Sequence, residues 1–400
     1  MKVLLVHNKY RSSAPSGEDE AVDNERRMLK SRGVAVVSFD RCNDDIDESS
    51  WKAKASLALN TVWSRESRLQ LRVAVRHVRP DIVHIHNTFS LLSPSVYGAC
   101  KQEGVPVVQT LHNFRFFCPA ALFLRDGKPC EDCVDRGLFQ SVRHRCYRNS
   151  VGATATLATM LALHRTLGTY SRGIDRYIAL TDFARRKAIK GGVLESKIVV
   201  KPNFIGNPPA PGGGGGGYVL YVGRLLEGKG TETLVKAWRM LRGIRLRILG
   251  DGALRPHLER IAVADGLNIE FAGRQPKGAV LEAIARAEFL IVPSECYEGF
   301  PMVIAESYAC GTPVLASRIG SLEELVEEDV TGSKFTVGDP DALAAGAIRM
   351  LADPSRLHRM RKHARAYFDN HLTEESNFAQ LMAIYRSVRD EFARDVVCSA

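Results

Sequence analysis

Apolar residues along the chain fall in short unbroken runs, and a stretch of helical spacing follows most of them. Val3-Leu4-Leu5-Val6 leads through a loop into a predicted helix from about Glu18 to Ser31, ended by Gly33, and Val34 to Val37 follows as a strand. Asp81 to His86 and Val105 to Thr110 are the next predicted strands, with a helical stretch from Pro94 to Lys101 between them. Arg176 to Leu180 is predicted to be the last strand of this half, with Thr181 placed to cap the helix after it. Unbroken rather than alternating runs predict strands covered on both faces, hence a parallel sheet of strand–helix–strand units.

A seam then interrupts the rhythm. Pro202-Asn203, Asn207 to Pro211 and the six glycines Gly212 to Gly217 cannot form a packed element. Beyond it the pattern restarts at Tyr218 to Val222 and continues with Leu246 to Leu249, Ile269 to Phe271, Phe289 to Val292 and Pro313 to Ala316. The expected architecture is α/β, with two doubly wound domains facing across a cleft. An open sheet of this kind binds ligands beyond the carboxyl ends of its strands. The predicted boundaries are a first domain at 1–200 with an insertion at 114–148, a linker at 201–217, a second domain at 218–370 and a C-terminal helix within 371–400. That helix, from about Thr373 to Arg394, is expected to return to the first domain.

A length of 400 residues suits two domains, and 45% hydrophobic with 25% charged residues is ordinary globular usage. No stretch reaches the roughly 18 uncharged apolar residues of a spanning helix. The longest, Val151 to Leu163, stops at His164-Arg165. The start of the chain is too short in apolar residues for a secretion signal, so a cytoplasmic protein is expected. The net charge of +10 is uneven: 11 Lys and Arg stand against three acids between Val134 and Lys190, and seven against one between Trp51 and Pro80. A basic first half favours phosphate-bearing partners, an anionic inner membrane face among them; the plain alternative is a solvated surface.

Nine cysteines in a chain without a secretion signal argue against a disulfide framework. Cys118, Cys130, Cys133 and Cys146 form a Cys-x2-Cys flanked at 11 and 12 residues, a pattern similar to a structural zinc site, with His144 as an alternative ligand. Reduced thiols or partial disulfide pairing are the competing readings.

Two segments carry chemistry. In Gly223-Arg224-Leu225-Leu226-Glu227-Gly228-Lys229-Gly230 a strand delivers two cations and three glycines to a strand-to-helix turn, which suits a diphosphate. Solvated loop cations are the alternative. In the second segment, from Val292 through Glu298-Gly299-Phe300-Pro301-Met302-Val303 to Glu306, Pro301 is placed at the first position of a helix. The helix start would offer N–H groups to an anion or to hydroxyls, with Glu298 before it and Glu306 inside it.

These segments, with Leu249-Gly250-Asp251-Gly252 and Gly311-Thr312-Pro313-Val314, resemble in order the C-terminal domain of family 4, group 1 type glycosyltransferases. The resemblance implies a retaining, nucleotide-sugar-dependent enzyme of GT-B fold, two Rossmann-like domains, without a catalytic metal. It implies that Arg224 and Lys229 neutralise the donor diphosphate, that Glu306 holds the ribose and that Glu298 contacts the transferred sugar. Backbone amides of Gly299, Phe300, Met302 and Val303 would face sugar and phosphate, Gly223 would let the diphosphate approach, and Arg274 falls near the base. In the first half, Pro15-Ser16-Gly17-Glu18 resembles the family's paired-glycine loop, with Ser16 in place of one glycine. His112 follows a strand where the family has a His near the sugar, and His86-Asn87 would line the acceptor side. Gly320-Ser321-Leu322-Glu323-Glu324 departs from the family's Gly-Gly-x-Pro-Glu and is assigned no contact.

The expected function is transfer of a sugar to a saccharide acceptor, lipid-linked in the favoured reading, in surface polysaccharide synthesis, with peripheral attachment to the inner membrane face. The alternatives are another GT-B chemistry, such as sugar-nucleotide epimerisation or phosphorolysis, and a zinc-containing nucleic-acid-binding protein. The last leaves Glu298, Glu306 and the Arg224/Lys229 loop unexplained, so no nucleic-acid partner is expected.

Overall fold

The computed structural model describes residues 1–13 and 16–399, with side chains described up to Arg394; Pro15 of the predicted glycine loop therefore lies outside the described residues. The strands in chain order are β1 (Lys2–Lys9), β2 (Ala35–Cys42), β3 (Ile82–Asn87), β4 (Val107–Leu111), β5 (Leu124–Arg125), β6 (Lys128–Pro129), β7 (Arg176–Ala179) and β8 (Ile198–Val200). They continue with β9 (Tyr218–Val222), β10 (Arg245–Leu249), β11 (Ile269–Gly273), β12 (Leu290–Val292), β13 (Val314–Ser317) and β14 (Gly332–Phe335). The chain divides into two units. One comprises 1–122, 131–202 and 374–400; the other comprises 123–130 and 203–373.

The first unit holds a six-stranded sheet in the order β2-β1-β3-β4-β7-β8, parallel throughout. Val3 to Val6 of β1 and Ile82, Val83 and Ile85 of β3 are fully buried, as unbroken apolar runs require. β2 differs from that expectation. As an edge strand it is covered on one side only, and Val37 stays exposed. Arg176–Ala179 is also not the last strand of this half: β8 follows it. The Thr181 hydroxyl accepts the Ala184 N–H, capping the helix Asp182–Lys190. The C-terminal helix Glu374–Ser399 belongs to this unit and buries Leu381, Tyr385 and Val388.

The second unit holds another parallel sheet, β11-β10-β9-β12-β13-β14. Its core joins Val219, Trp238, Leu246, Ile248, Phe289, Ile291 and Leu315. The Trp238 indole N–H donates to the Ile244 carbonyl, so this large side chain is buried with its polar atom paired. The antiparallel hairpin β5/β6 is counted with this unit.

The glycine seam corrects the expectation of a segment that cannot pack. It has no regular structure, yet Gly212, Gly214 and Gly216 donate backbone N–H bonds to the carbonyls of Cys310, Ala285 and Arg286. A Cβ at Gly212 would meet the Ala285 carbonyl oxygen at 2.1 Å. Absence of side chains lets this strip lie flat against the second unit, so its glycines serve close approach rather than slack.

In both units strand order reverses at a switch point, between β1 and β3 in the first and between β9 and β12 in the second. Loops leaving neighbouring strands there diverge and open a crevice at their carboxyl ends. Gly17 follows β1, His86 and Asn87 end β3, Gly223 and Arg224 follow β9, and Pro293 to Pro301 follow β12.

Candidate active site

In the second unit the loops after β9 and β12 are tied together. Glu295 and Cys296 both donate N–H bonds to the Gly228 carbonyl, at 2.8 and 3.2 Å. Gly230 precedes the helix Thr231–Trp238 with φ +66°, and a Cβ there would sit 1.7 Å from the Pro293 carbonyl oxygen. Only glycine meets both demands. This clamp brings Lys229 Nζ within 2.5 Å of Glu298 Oε1, and the Ser294 hydroxyl donates to the same oxygen at 2.7 Å. The Ser321 hydroxyl donates to the Glu298 carbonyl, at 2.8 Å. Ser321 lies in the segment that departs from the family pattern, so that segment still supports the site from behind.

Burial alone would raise the Glu298 carboxyl; Lys229, Ser294 and the charge of Arg224 outweigh it and hold it below the usual carboxylate range. Burial likewise opposes the Lys229 ammonium, and Glu298 more than offsets it, so the ammonium titrates above its ordinary value. Arg224 is exposed at the loop's edge, and its guanidinium bears electrostatically on both Lys229 and Glu298. Tyr221 of β9 fixes the turn by donating its hydroxyl proton to the Arg224 carbonyl, at 3.0 Å.

The helix Met302–Ala309 begins one residue later than expected. Pro301 is its N-cap, with extended ψ of 110°, rather than its first helical residue. The N–H groups of Met302 and Val303 lie in the first turn, where helix geometry supplies no acceptor. The Phe300 side chain is buried, leaving Phe300 and its neighbour Gly299 to offer backbone. Glu306 is buried within the helix and paired with Lys277, the first residue of the helix Lys277–Arg286. Arg274 is exposed just after β11. Lys277 is not among the residues that the sequence analysis singles out. A lysine at a helix N-terminus opposes the helix dipole, and that mismatch was the available signal.

In the first unit Gly17 opens the helix Gly17–Ser31, and Ser16 is its N-cap, with Asp19 closing a capping box. The serine that replaces a family glycine thus anchors the helix start. Asn113 and Tyr10 both donate to Glu18 Oε2, at 3.2 and 3.1 Å. Burial, countered in part by His7, pushes the Glu18 carboxyl up to about 7. His112 is half-buried after β4, and its Nε2 lies 3.0 Å from Nδ1 of buried His86. Burial, with His84 adding to it, pushes His86 down to about 3, and burial with His86 beside it lowers His112 well below the usual histidine range. Both rings are therefore neutral at physiological pH. Asn87 uses both ends of its amide on backbone, donating to Asn8 and accepting from Phe89, so it shapes the loop after β3.

Cys118 and Cys133 are buried, while Cys130 and Cys146 are half-buried; Cys133 lies in the one-turn helix Asp132–Asp135 and Cys130 directly follows β6. No helix among the described residues is long and apolar enough to cross a membrane.

Comparison with known proteins bears on the family and the fold. The family model for "Glycosyl transferases group 1" matches residues 213–367, and that for "Glycosyltransferase Family 4" matches 21–206. A D-inositol 3-phosphate glycosyltransferase of Segniliparus rotundus is 26% identical over 96% of this chain and 88% of its own length. The lipopolysaccharide core biosynthesis glycosyltransferase LpsE of Rhizobium meliloti is 33% identical over 36% of this chain and 42% of its own. Among solved structures, Anabaena Alr3699/HepE in complex with UDP superposes with a TM-score of 0.68 at 16% identity, covering 97% of this chain and 100% of that one. The lipopolysaccharide outer core galactosyltransferase WaaB gives 0.64 at 17%, over 96% and 99%. The two family models follow one another along most of the sequence, and the two parallel sheets match the GT-B fold. The chain belongs to the family 4, group 1 type glycosyltransferases.

Proposed function

We propose that this protein is a retaining glycosyltransferase. It takes a sugar from a nucleoside diphosphate sugar and passes it to a saccharide acceptor, lipid-linked, in the assembly of a surface polysaccharide. The observation that carries the reading is the half-buried Lys229–Glu298 pair with exposed Arg224 close by in the same loop, and the helix Met302–Ala309 that follows Glu298. Breaking the bond between sugar C1 and phosphate builds negative charge on the leaving diphosphate and positive character on the sugar. Two fixed cations and a helix start stabilise the first; the Glu298 carboxylate, kept ionised, suits the second. Glu298 is assigned no nucleophilic role; the leaving phosphate is taken to receive the acceptor's proton on the same face of the sugar. Glu306 and Lys277 would meet the ribose, Arg274 the base, Gly17 the phosphates, and His112 the sugar. The ligands in solved structures of the similar Anabaena Alr3699/HepE, UDP and UDP-glucose, support the donor class. LpsE and WaaB support a saccharide acceptor of the cell surface. No divalent metal is needed in this reading, because Arg224 and Lys229 supply the charge.

The membrane part of the reading rests on the first unit. The helices Trp51–Val62 and Arg65–Val78 expose Trp51, Leu59, Leu69 and Val73 among Lys52, Lys54, Arg65 and Arg76. Apolar side chains set among cations suit an anionic lipid surface, where each Lys or Arg contributes about 1 kcal/mol. Structural zinc on Cys118, Cys130, Cys133 and Cys146 is proposed from their spacing alone, in a segment whose strands and helices are two to five residues long. Metal content near one zinc per chain would support it, and a metal-free protein of unchanged stability would refute it.

The direct test is a thermal-shift screen with UDP-, GDP- and ADP-sugars, with and without chelator, followed by NMR of the product's anomeric centre. A donor at about 100 times its Kd adds about 2.7 kcal/mol of stability. Stabilisation by one donor class that survives chelation, with the anomeric configuration retained in the product, supports the reading. Inversion, or turnover that vanishes with chelator, contradicts it.

A further inference from the structure

Behind His112 the first unit buries a set of polar groups that the transfer reaction does not itself use. Glu25, on the helix Gly17–Ser31, is 4% exposed. Its Oε1 lies 3.0 Å from His84 Nδ1 and 3.3 Å from His86 Nε2, and its Oε2 lies 3.3 Å from the Nζ of Lys201. Lys201, after β8, is equally hidden and donates to Asn377 Oδ1 at 2.8 Å. Tyr385 and Thr110 flank His84, at 2.7 and 2.8 Å, and the His7 ring stands edge-on to His86. The Glu25, His84 and His86 ligand atoms lie within 4.8 Å of one another, a grouping a metal ion could use. The ammonium of Lys201 already supplies the positive charge that the Glu25 carboxylate needs there.

The wiring has a direction. An ionised carboxylate only accepts hydrogen bonds. His86 Nε2 is buried and makes no hydrogen bond of good geometry to any described residue; the acceptor nearest it is Glu25 Oε1 at 3.3 Å, and a bare nitrogen would set its lone pair against the carboxylate's, so it must carry the proton. His86 Nδ1 is then a bare acceptor. The group facing it at 3.0 Å is His112 Nε2, which must therefore be the N–H. His112 Nδ1 is left with its lone pair. We infer that Glu25 is a positioning residue which, acting through His86, fixes the tautomer of His112 and so makes its Nδ1 a hydrogen-bond acceptor for a sugar hydroxyl. Burial, reinforced by neighbouring imidazoles, keeps both rings neutral, which is the condition the chain of tautomers requires. The hydroxyl contact rests on the proposed function; the tautomer does not.

Glu25→Gln gives a nearly isosteric test. Lys201 can only donate, so it will draw the amide oxygen to itself, and the amide NH2 will then face His86 Nε2. A donor there forces His86 to the Nδ1–H form, and His112 to the Nδ1–H form in turn. The measurement is the tautomer of His86 and His112 in 15N-histidine-labelled protein, read from two-bond 1H–15N correlations. The expected result is Nε2–H for both rings in the wild type and Nδ1–H for both in Glu25→Gln, with kcat/KM falling about ten-fold or more and nucleotide Kd unchanged. A wild-type His112 that carries its proton on Nδ1, or is charged, overturns the inference without any variant. So does a Glu25→Gln protein that folds and keeps the wild-type tautomers. If the tautomers reverse and turnover does not change, the wiring stands and the placing of a sugar at His112 is what fails.

Discussion

At Glu298 two opposing effects meet. Burial disfavours the charged carboxylate, while Lys229 at 2.5 Å and the Ser294 hydroxyl favour it, and the second influence wins. A group held ionised in this way can stabilise developing positive charge on a sugar ring. Glu298→Gln keeps the shape and removes the charge. It should lower kcat by about 100-fold while nucleoside diphosphate binding changes little, measured by steady-state kinetics beside calorimetry. An unchanged kcat would remove Glu298 from the chemistry. Glu18 shows the reverse balance, since burial lifts its carboxyl to about 7 from an ordinary value of 4.5. The folded protein therefore holds a proton that the unfolded chain releases, and this contribution is present below pH 4.5 and lost as pH rises through 7. The difference amounts to on the order of 3 kcal/mol. His86 and His112, buried neutral, act in the opposite sense below their ordinary range, so the effect is best read as a difference between proteins. Wild type should lose stability relative to Glu18→Gln between pH 4.5 and 8 in denaturant titrations; parallel curves would contradict it.

Among the elements, the strands that packing covers on both faces were legible to within a residue or two, because their apolar runs are unbroken, except that β1 continues three residues past Val6 through polar His7, Asn8 and Lys9. The exceptions have physical causes. β8 is three residues long, and β14 is built of Gly332, Ser333, Lys334 and Phe335, with too little apolar content to announce a strand. The helix Trp51–Val62 exposes its Trp51 and Leu59 and buries only Thr61, so its hydrophobic face points the wrong way for a core reading. Arg224, Lys229 and Glu298 were readable because glycines and prolines mark the turns that carry them. Glu25 and Lys277 were not, because each gains its meaning from a partner distant in sequence. The clamp at Gly230 makes a test at this scale. Gly230→Ala must adopt φ +66° and push its methyl group into the Pro293 carbonyl. That should cost on the order of 2–3 kcal/mol and weaken donor binding by displacing Lys229. A variant with wild-type Tm and wild-type affinity would show that the two loops are not held as described.

For the molecule as a whole, the C-terminal helix Glu374–Ser399 is a structural member of the first unit. It brings Asn377 to Lys201 and Tyr385 to His84, closing the polar cluster around Glu25. A chain ending at Thr373 should therefore lose stability in the first unit, seen as a lowered or missing calorimetric transition, while the transition belonging to 203–373 persists; two unshifted transitions would contradict this. The central claim, that the second unit holds a nucleoside diphosphate on Arg224 and Lys229, is most directly tested by titration calorimetry of UDP, GDP and ADP into wild type and Arg224→Gln. Arg224 is exposed and contributes little to the core, so the variant should keep the wild-type Tm. The account predicts that one nucleotide binds the wild type, and that it binds the variant about ten-fold or more weakly, as loss of a charge-assisted phosphate contact requires. Binding of none of the three, or equal affinity in both proteins, would contradict it.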